Sequence, residues 1–399
     1  MKILMLSATF PYPPTRGGTQ VRTFNLLEYL RSRHSLTVIT QKVPDVSEGE
    51  IEELRELVEE LQVFPRLSPP QATGGFLGKI KRFTAFWREG IPPSVLSVYS
   101  PQMQQWVDDA VATGAYDVMT CEHSVNEIFV RPEWKQRMRT VVNIHSSVYA
   151  TCQQQLATQT AEKPLRDRLN LPLLKRYEQQ YCGKFSHLVA TTPEDQDSLH
   201  DLRPDAAITV IPNGVDLGMF PARSQDPGGQ KLVFIGAMDN VANIDSVRFF
   251  TLQVFPKLRN FHPDVTLDLV GARPVPEVQE LDQIEGVTVT GKVPSMVDYL
   301  HQATVCVVPM RTGFGIKNKT LEAMAAGTPV VASDRGLEGL TSPDVALRAN
   351  TVEEYITAIS RLLENSDLRA HLSHNARQMI ESHFTWEQAG KRYEAVLQG

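Results

Sequence analysis

Short apolar runs, each followed by a stretch of helical periodicity, alternate along the whole 399-residue chain. That alternation restricts the fold to βαβ units and parallel sheets. In the first half the strand candidates are Lys2–Ser7, Leu36–Ile39, Val118–Cys121, Thr140–Ile144 and Leu188–Thr191, with helical patterns at Thr19–Arg31 and an acidic one from Val46 to Leu61. In the second half they are Leu232–Gly236, Val265–Gly271, Val287–Thr290, Val305–Val308 and Pro329–Ala332. Helices there fit Ser246–Leu258, Ser295–His301, Lys319–Ala326 and Val352–Glu364. Two such series predict two doubly wound α/β domains. They join near Ile211-Pro212-Asn213-Gly214-Val215-Asp216, and the polar segment Ser224–Gln230 reads as hinge and linker. Ligands of open α/β sheets lie beyond the carboxyl ends of the strands, so a cleft between the domains is the expected site.

Composition narrows the function. Acidic residues (46) exceed basic ones (40), giving a net charge of −6, which speaks against a general nucleic-acid binder. No apolar run approaches the roughly 20 residues that cross a bilayer. The start, Met1-Lys2-Ile3-Leu4-Met5-Leu6-Ser7, is too short for a secretory signal and runs into Pro11-Tyr12-Pro13-Pro14, so it reads as the first strand. Cys121, Cys152, Cys182 and Cys306 are widely spaced, which disfavours a zinc site or a disulfide framework and makes a cytoplasmic protein the default expectation.

Two glycine loops can carry chemistry. Arg16-Gly17-Gly18-Thr19-Gln20 joins the first strand to a helix, where close backbone approach and free N–H groups suit an anion, although a structural tight turn fits equally well. The stretch Gly313-Phe314-Gly315-Ile316-Lys317-Asn318-Lys319-Thr320-Leu321-Glu322 is more informative. Lysines at a loop-to-helix transition suit a diphosphate, and a carboxylate one turn further in suits two vicinal hydroxyls of a ribose. The plainer reading makes Lys317 and Lys319 solvated charges and Glu322 a helix-favouring residue.

With Ile211–Asp216, the run Leu321-Glu322-Ala323-Met324-Ala325-Ala326-Gly327-Thr328-Pro329-Val330-Val331 and the closing Phe384-Thr385-Trp386-Glu387, the chain resembles the family 4 glycosyltransferases over nearly its whole length. The resemblance implies the GT-B fold: an acceptor-side Rossmann-like domain at 1–209, a donor-binding domain at 210–379, and a last helix, about 380–399, that returns to the first domain. It implies sugar transfer from a nucleoside-diphosphate donor with retention and without a metal, and no persuasive Asp-x-Asp pair is present. Glu322 matches the second glutamate of the family's E-x7-E signature, which holds the donor ribose. Gly17 and Gly18 match the loop facing the diphosphate and sugar. His145 resembles the histidine beside the transferred sugar, with a core histidine as the other reading, and Thr290-Gly291-Lys292 borders the base.

Three departures stand out. The position eight before Glu322 is Phe314, and no acidic residue lies between Asp298 and Glu322, so the lost hydroxyl contacts would fall to the N–H groups of the loop around Gly315 and Ile316 or to Arg311. The family often places an arginine and a lysine in the loop after the first C-domain strand, whereas Gly236-Ala237-Met238-Asp239-Asn240-Val241-Ala242-Asn243 has no cation. Lys317 and Lys319, with Arg311, are therefore expected to take over stabilisation of the leaving diphosphate. Asp239 would repel a phosphate and is expected to turn away or hold a sugar hydroxyl.

The expected donor is a UDP-sugar, UDP-glucose first and GDP-mannose behind, and the expected acceptor a glycan or glycolipid of polysaccharide synthesis. A sugar-nucleotide epimerase or phosphorylase, or a nucleotide-sugar-binding protein that has lost catalysis, are the alternatives. In Phe76–Arg88, Phe76, Ile80, Phe83 and Trp87 share one helical face among cations. Such a helix would either lie peripherally on the inner membrane face or cover the first domain's core.

Overall fold

The computed structural model describes residues 1–14, 17–66, 86–87, 90–157, 161, 163–313, 315–340 and 342–399. They form two compact units: Met1–Pro212 with Ala389–Gly399, and Asn213–Gln388. The chain therefore passes from one unit to the other at Pro212 and back at Gln388, within the helix Trp386–Gln398.

Unit 1 is built on a seven-stranded parallel sheet of order β3-β2-β1-β4-β5-β6-β7. Its strands are β1 Lys2–Ser7, β2 Ser35–Lys42, β3 Glu60–Pro65, β4 Val118–Glu122, β5 Arg139–Ile144, β6 His187–Ala190 and β7 Ile208–Val210. The inner strands are buried on both faces, as parallel sheets require. Leu4, Leu6, Met119, Val142 and Ile144 are sealed from solvent. Strand order reverses between β1 and β4, the point of such a sheet at which ligands generally bind.

Unit 2 has a six-stranded parallel sheet of order β10-β9-β8-β11-β12-β13. Its strands are β8 Lys231–Ile235, β9 Thr266–Val270, β10 Val287–Gly291, β11 Val305–Val308, β12 Val330–Ala332 and β13 Leu347–Arg348. Its reversal falls between β8 and β11.

Strands β3, β7 and β13 have no counterpart among the strand candidates of the sequence reading, and three segments that it did assign differ. The acidic helix is shorter than expected, Glu48–Glu56, and the chain then enters β3. The helix expected at Ser246–Leu258 begins at Val241, passes through a π-helical segment at Phe250–Val254 and continues as Phe255–Arg259. Pro256 supplies no N–H, so the wider turns before it accommodate the residue that an unbroken helix rejects. Ser224–Gln230 is no free linker, because Asp226 pairs with Arg369 at 2.7 Å and Gly228 O accepts from Thr304 at 2.6 Å, both within unit 2. All four cysteines are buried free thiols.

Candidate functional site

In unit 2 the loops after β8 and β9 are zipped together. Gly236 N donates to Val270 O and Met238 N to Ala272 O, both at 2.9 Å. A Cβ on Gly271 would stand 1.7 Å from Gly236 O, so this approach requires glycine. Asn240 caps the following helix, its side-chain oxygen accepting from the N–H groups of Ala242 and Asn243. Asn243 then folds back, donating from Nδ2 to Ala237 O at 2.7 Å.

The helix Asn318–Ala325, which follows the glycine loop, delivers Lys319 to this place. The Lys319 ammonium donates to Asn243 Oδ1, lies 4.3 Å from the centre of the Phe234 ring, and would be 3.0 Å from a Cβ on Gly236. Glu322 stands one turn further along. Burial pushes its carboxyl up to about 7 against the pull of Lys319, and no hydrogen bond from the described residues acts on it. Burial likewise lowers Lys319 to about 7, opposed by Glu322.

The other cations of the sequence reading are already engaged. Lys317 is buried, with its ammonium on Gly315 O and, at 3.0 Å, on Glu338, which also pairs with Arg335 at 2.9 Å. Gly315, at φ +70°, and Ile316 are buried beside it. Arg311 makes a two-bond pair with Asp245 and lies 4.8 Å from the centre of the Phe249 ring. Asp239 is held by Arg273 at 2.5 Å, and that guanidinium keeps its carboxyl below the usual carboxylate range. Phe314 lies outside the described residues. Gly291, at φ +68° with open space around it, and exposed Lys292 close β10, two strands from β8.

In unit 1, Gly17 and Gly18 are exposed at the start of the helix Gly18–Arg31. Thr19, next on that helix, places Oγ1 3.5 Å from His145 Nδ1, which brings the start of this helix and the histidine that follows β5 together. Burial, then His123 and Arg22, hold His145 well below the ordinary histidine range, so its ring is neutral.

Beneath this lies a buried polar chain that the sequence reading missed. Arg22 donates to Asn143 Oδ1 (3.0 Å) and to Ile211 O (2.9 Å). Asn143 donates to Glu122 Oε2 (3.0 Å), and Glu122 Oε1 accepts from Thr120 (2.6 Å) and Tyr393 (2.5 Å). Burial draws Arg22 down to about 10, against the pull of Glu122. The available signal was a polar residue interrupting each apolar run: Glu122 in one and Asn143 in the other.

Family models match both halves: "Glycosyltransferase Family 4" over residues 16–218 and "Glycosyl transferases group 1" over 229–365. The chain is 27% identical over 198 residues to glycogen synthase of Mycobacterium tuberculosis, covering 46% of each, so it spans about half the length of those curated relatives. It is 22% identical over 290 residues to a lipopolysaccharide 1,2-N-acetylglucosaminetransferase of Salmonella typhimurium, covering 65% of this chain and 72% of that one. Among solved structures, sucrose-phosphate synthase from Thermosynechococcus elongatus superposes with TM-score 0.69 at 20% identity, covering 100% of this chain and 98% of that one. Anabaena HepE in complex with UDP gives 0.66 at 16% identity, covering 100% of both. The chain belongs to glycosyltransferase family 4 and has the GT-B fold.

Proposed function

We propose that the chain is a retaining glycosyltransferase that moves a sugar from a nucleoside-diphosphate donor, a UDP-sugar with UDP-glucose first, to a glycan or glycolipid acceptor of polysaccharide synthesis. The observation that carries this is Lys319, whose ammonium returns a cation to the Gly236–Asn243 loop, with a half-buried Glu322 carboxylate one turn away on which no described residue places a hydrogen bond. In this reading Lys319 and the N–H groups around Gly236 take the diphosphate, and Glu322 takes the ribose hydroxyls. The backbone at Gly291 and Lys292 borders the base. Lys317, pinned by Glu338, fixes the loop at Gly315 and Ile316, while Arg311 braces its start against Asp245. Gly17, Gly18 and His145 serve the sugar in unit 1.

The acceptor hydroxyl oxygen attacks the anomeric carbon as the carbon–oxygen bond to the diphosphate breaks. Its proton passes to the departing phosphate oxygen, and Lys319 stabilises the charge left behind. HepE, solved with UDP and with UDP-glucose, shares the fold and supports the donor class.

A panel of labelled sugar nucleotides, with and without glycan and lipid-linked acceptors, tests the reading. Expected are acceptor-dependent transfer and slow release of nucleoside diphosphate without acceptor, with turnover lowered more than tenfold (~1.4 kcal/mol in barrier height) by Lys319→Ala. An altered sugar nucleotide in the absence of acceptor would instead mark an epimerase. Turnover by Lys319→Ala within tenfold of wild type would remove the role assigned to Lys319.

Peripheral contact with the inner membrane face belongs to the same proposal. The segment Phe76–Arg88 lies outside the described residues except for Phe86, which is buried, and Trp87, which is 68% exposed. Support comes from the helix Pro164–Cys182. It exposes Leu165 (78%) and Leu169 (62%) beside Arg166, Arg168, Lys175 and Arg176, while its acids Asp167 and Glu178 are buried. Among the described residues no helix is long and apolar enough to cross a membrane.

A further inference from the structure

His123 follows β4 directly, at the reversal point of the unit 1 sheet, with φ +90° and ψ 139°. Side chains with a Cβ almost never adopt this conformation, and glycine adopts it freely. The surroundings hold it there. His123 N donates to Asn143 O (3.1 Å), and Asn126 Nδ2 donates to the carbonyls of both Glu122 (2.8 Å) and His123 (3.1 Å). Asn126 Oδ1 in turn accepts from Ala8 N (2.7 Å), clamping the loop after β1 to the end of β4. A position with only a structural duty under such strain would be served better by glycine, so the imidazole itself calls for an explanation.

The ring has a defined chemistry. His123 Nδ1 accepts from Val125 N at 3.3 Å, so the ring proton sits on Nε2, which no described residue engages. Its centre is 4.9 Å from that of His145, edge to face, and His145 Nε2 is buried without a partner. Burial lowers His123 to about 4, so near neutral pH both rings are uncharged. Two neutral imidazoles side by side offer hydrogen bonds without positive charge, which suits hydroxyl groups and not a diphosphate.

We infer that His123 is a second sugar-reading residue of unit 1, donating its Nε2–H to a hydroxyl of the bound sugar beside His145, with the Asn126 clamp holding it in place. The inference rests on the transferase reading and adds to it a specificity residue and the polarity of its contact.

The test uses the full chain, UDP-glucose as the turnover probe and UDP alone as the binding probe. His123→Gly is expected to melt at or above the wild-type temperature, because glycine relieves the backbone, and to bind UDP as wild type does. Its kcat/KM for UDP-glucose turnover should fall at least tenfold, and His123→Asn, which keeps a donor, should recover part of the loss. Wild-type turnover by His123→Gly in an active enzyme overturns this inference alone. So does a His123→Gly chain that unfolds or no longer binds UDP, since the residue then serves folding. A wild-type chain that turns over no sugar nucleotide of the panel overturns the transferase reading, and this inference with it.

Discussion

Lys319 and Glu322 occupy one turn of one helix, and burial brings both to about 7 from opposite sides. Donor binding needs the lysine charged and the carboxyl ionised, so its pH dependence has two limbs. The diphosphate of a sugar nucleotide does not titrate near neutrality. UDP-glucose affinity should therefore peak near pH 7, weakening above it as Lys319 loses its proton and below it as Glu322 gains one. Titration calorimetry from pH 5.5 to 8.5 checks this: Lys319→Met should abolish the alkaline limb and Glu322→Gln the acid limb. Stability follows the opposite course. The raised Glu322 value makes a contribution that is complete below its unfolded value of 4.5 and lost as pH rises to about 7. The lowered Lys319 value makes one that is complete above 10.5 and lost as pH falls to about 7. The unliganded chain thus carries its least stability from this pair near neutrality. Lys319 was legible as a cation of the glycine loop. Its target was not, because Asn243 lies 76 residues away and nothing local links them. The pairing of Lys317 with Glu338 and of Asp239 with Arg273 escaped for the same reason.

At the scale of elements, the strands with continuous apolar runs were legible because both faces of an inner parallel strand are covered. The edge strand β3 was not: only Leu61 is buried, and the acidic helix before it reads on without a break. Loop contacts were equally silent, though they set the shape of the site. Gly271→Ala should destabilise unit 2 by about 3–5 kcal/mol, because a methyl group 1.7 Å from a backbone oxygen cannot be absorbed without unzipping the two loops. Gly291→Ala should cost only about 1 kcal/mol, since its surroundings are open and backbone strain at φ +68° is the sole penalty. Denaturant unfolding of the two variants separates these cases.

For the whole molecule, a net charge of −6 conceals a local excess of the other sign on the helix Pro164–Cys182. The full chain should co-sediment with vesicles rich in phosphatidylglycerol and not with phosphatidylcholine alone, and the Leu165→Glu, Leu169→Glu double variant should lose that binding. Retention of binding by the variant would assign the contact elsewhere.

The return of the chain at Gln388 has a consequence in time as well as in space. The Glu122 carboxylate, fully buried, obtains one of its hydrogen bonds from Tyr393, and Gly390 lies so close to the Tyr29 ring that a Cβ there would stand 2.2 Å from it. Synthesis delivers those residues only after all of unit 2 has been made. The unit that leaves the ribosome first is therefore the one that finishes folding last, with a buried acid waiting for a tyrosine 271 residues downstream.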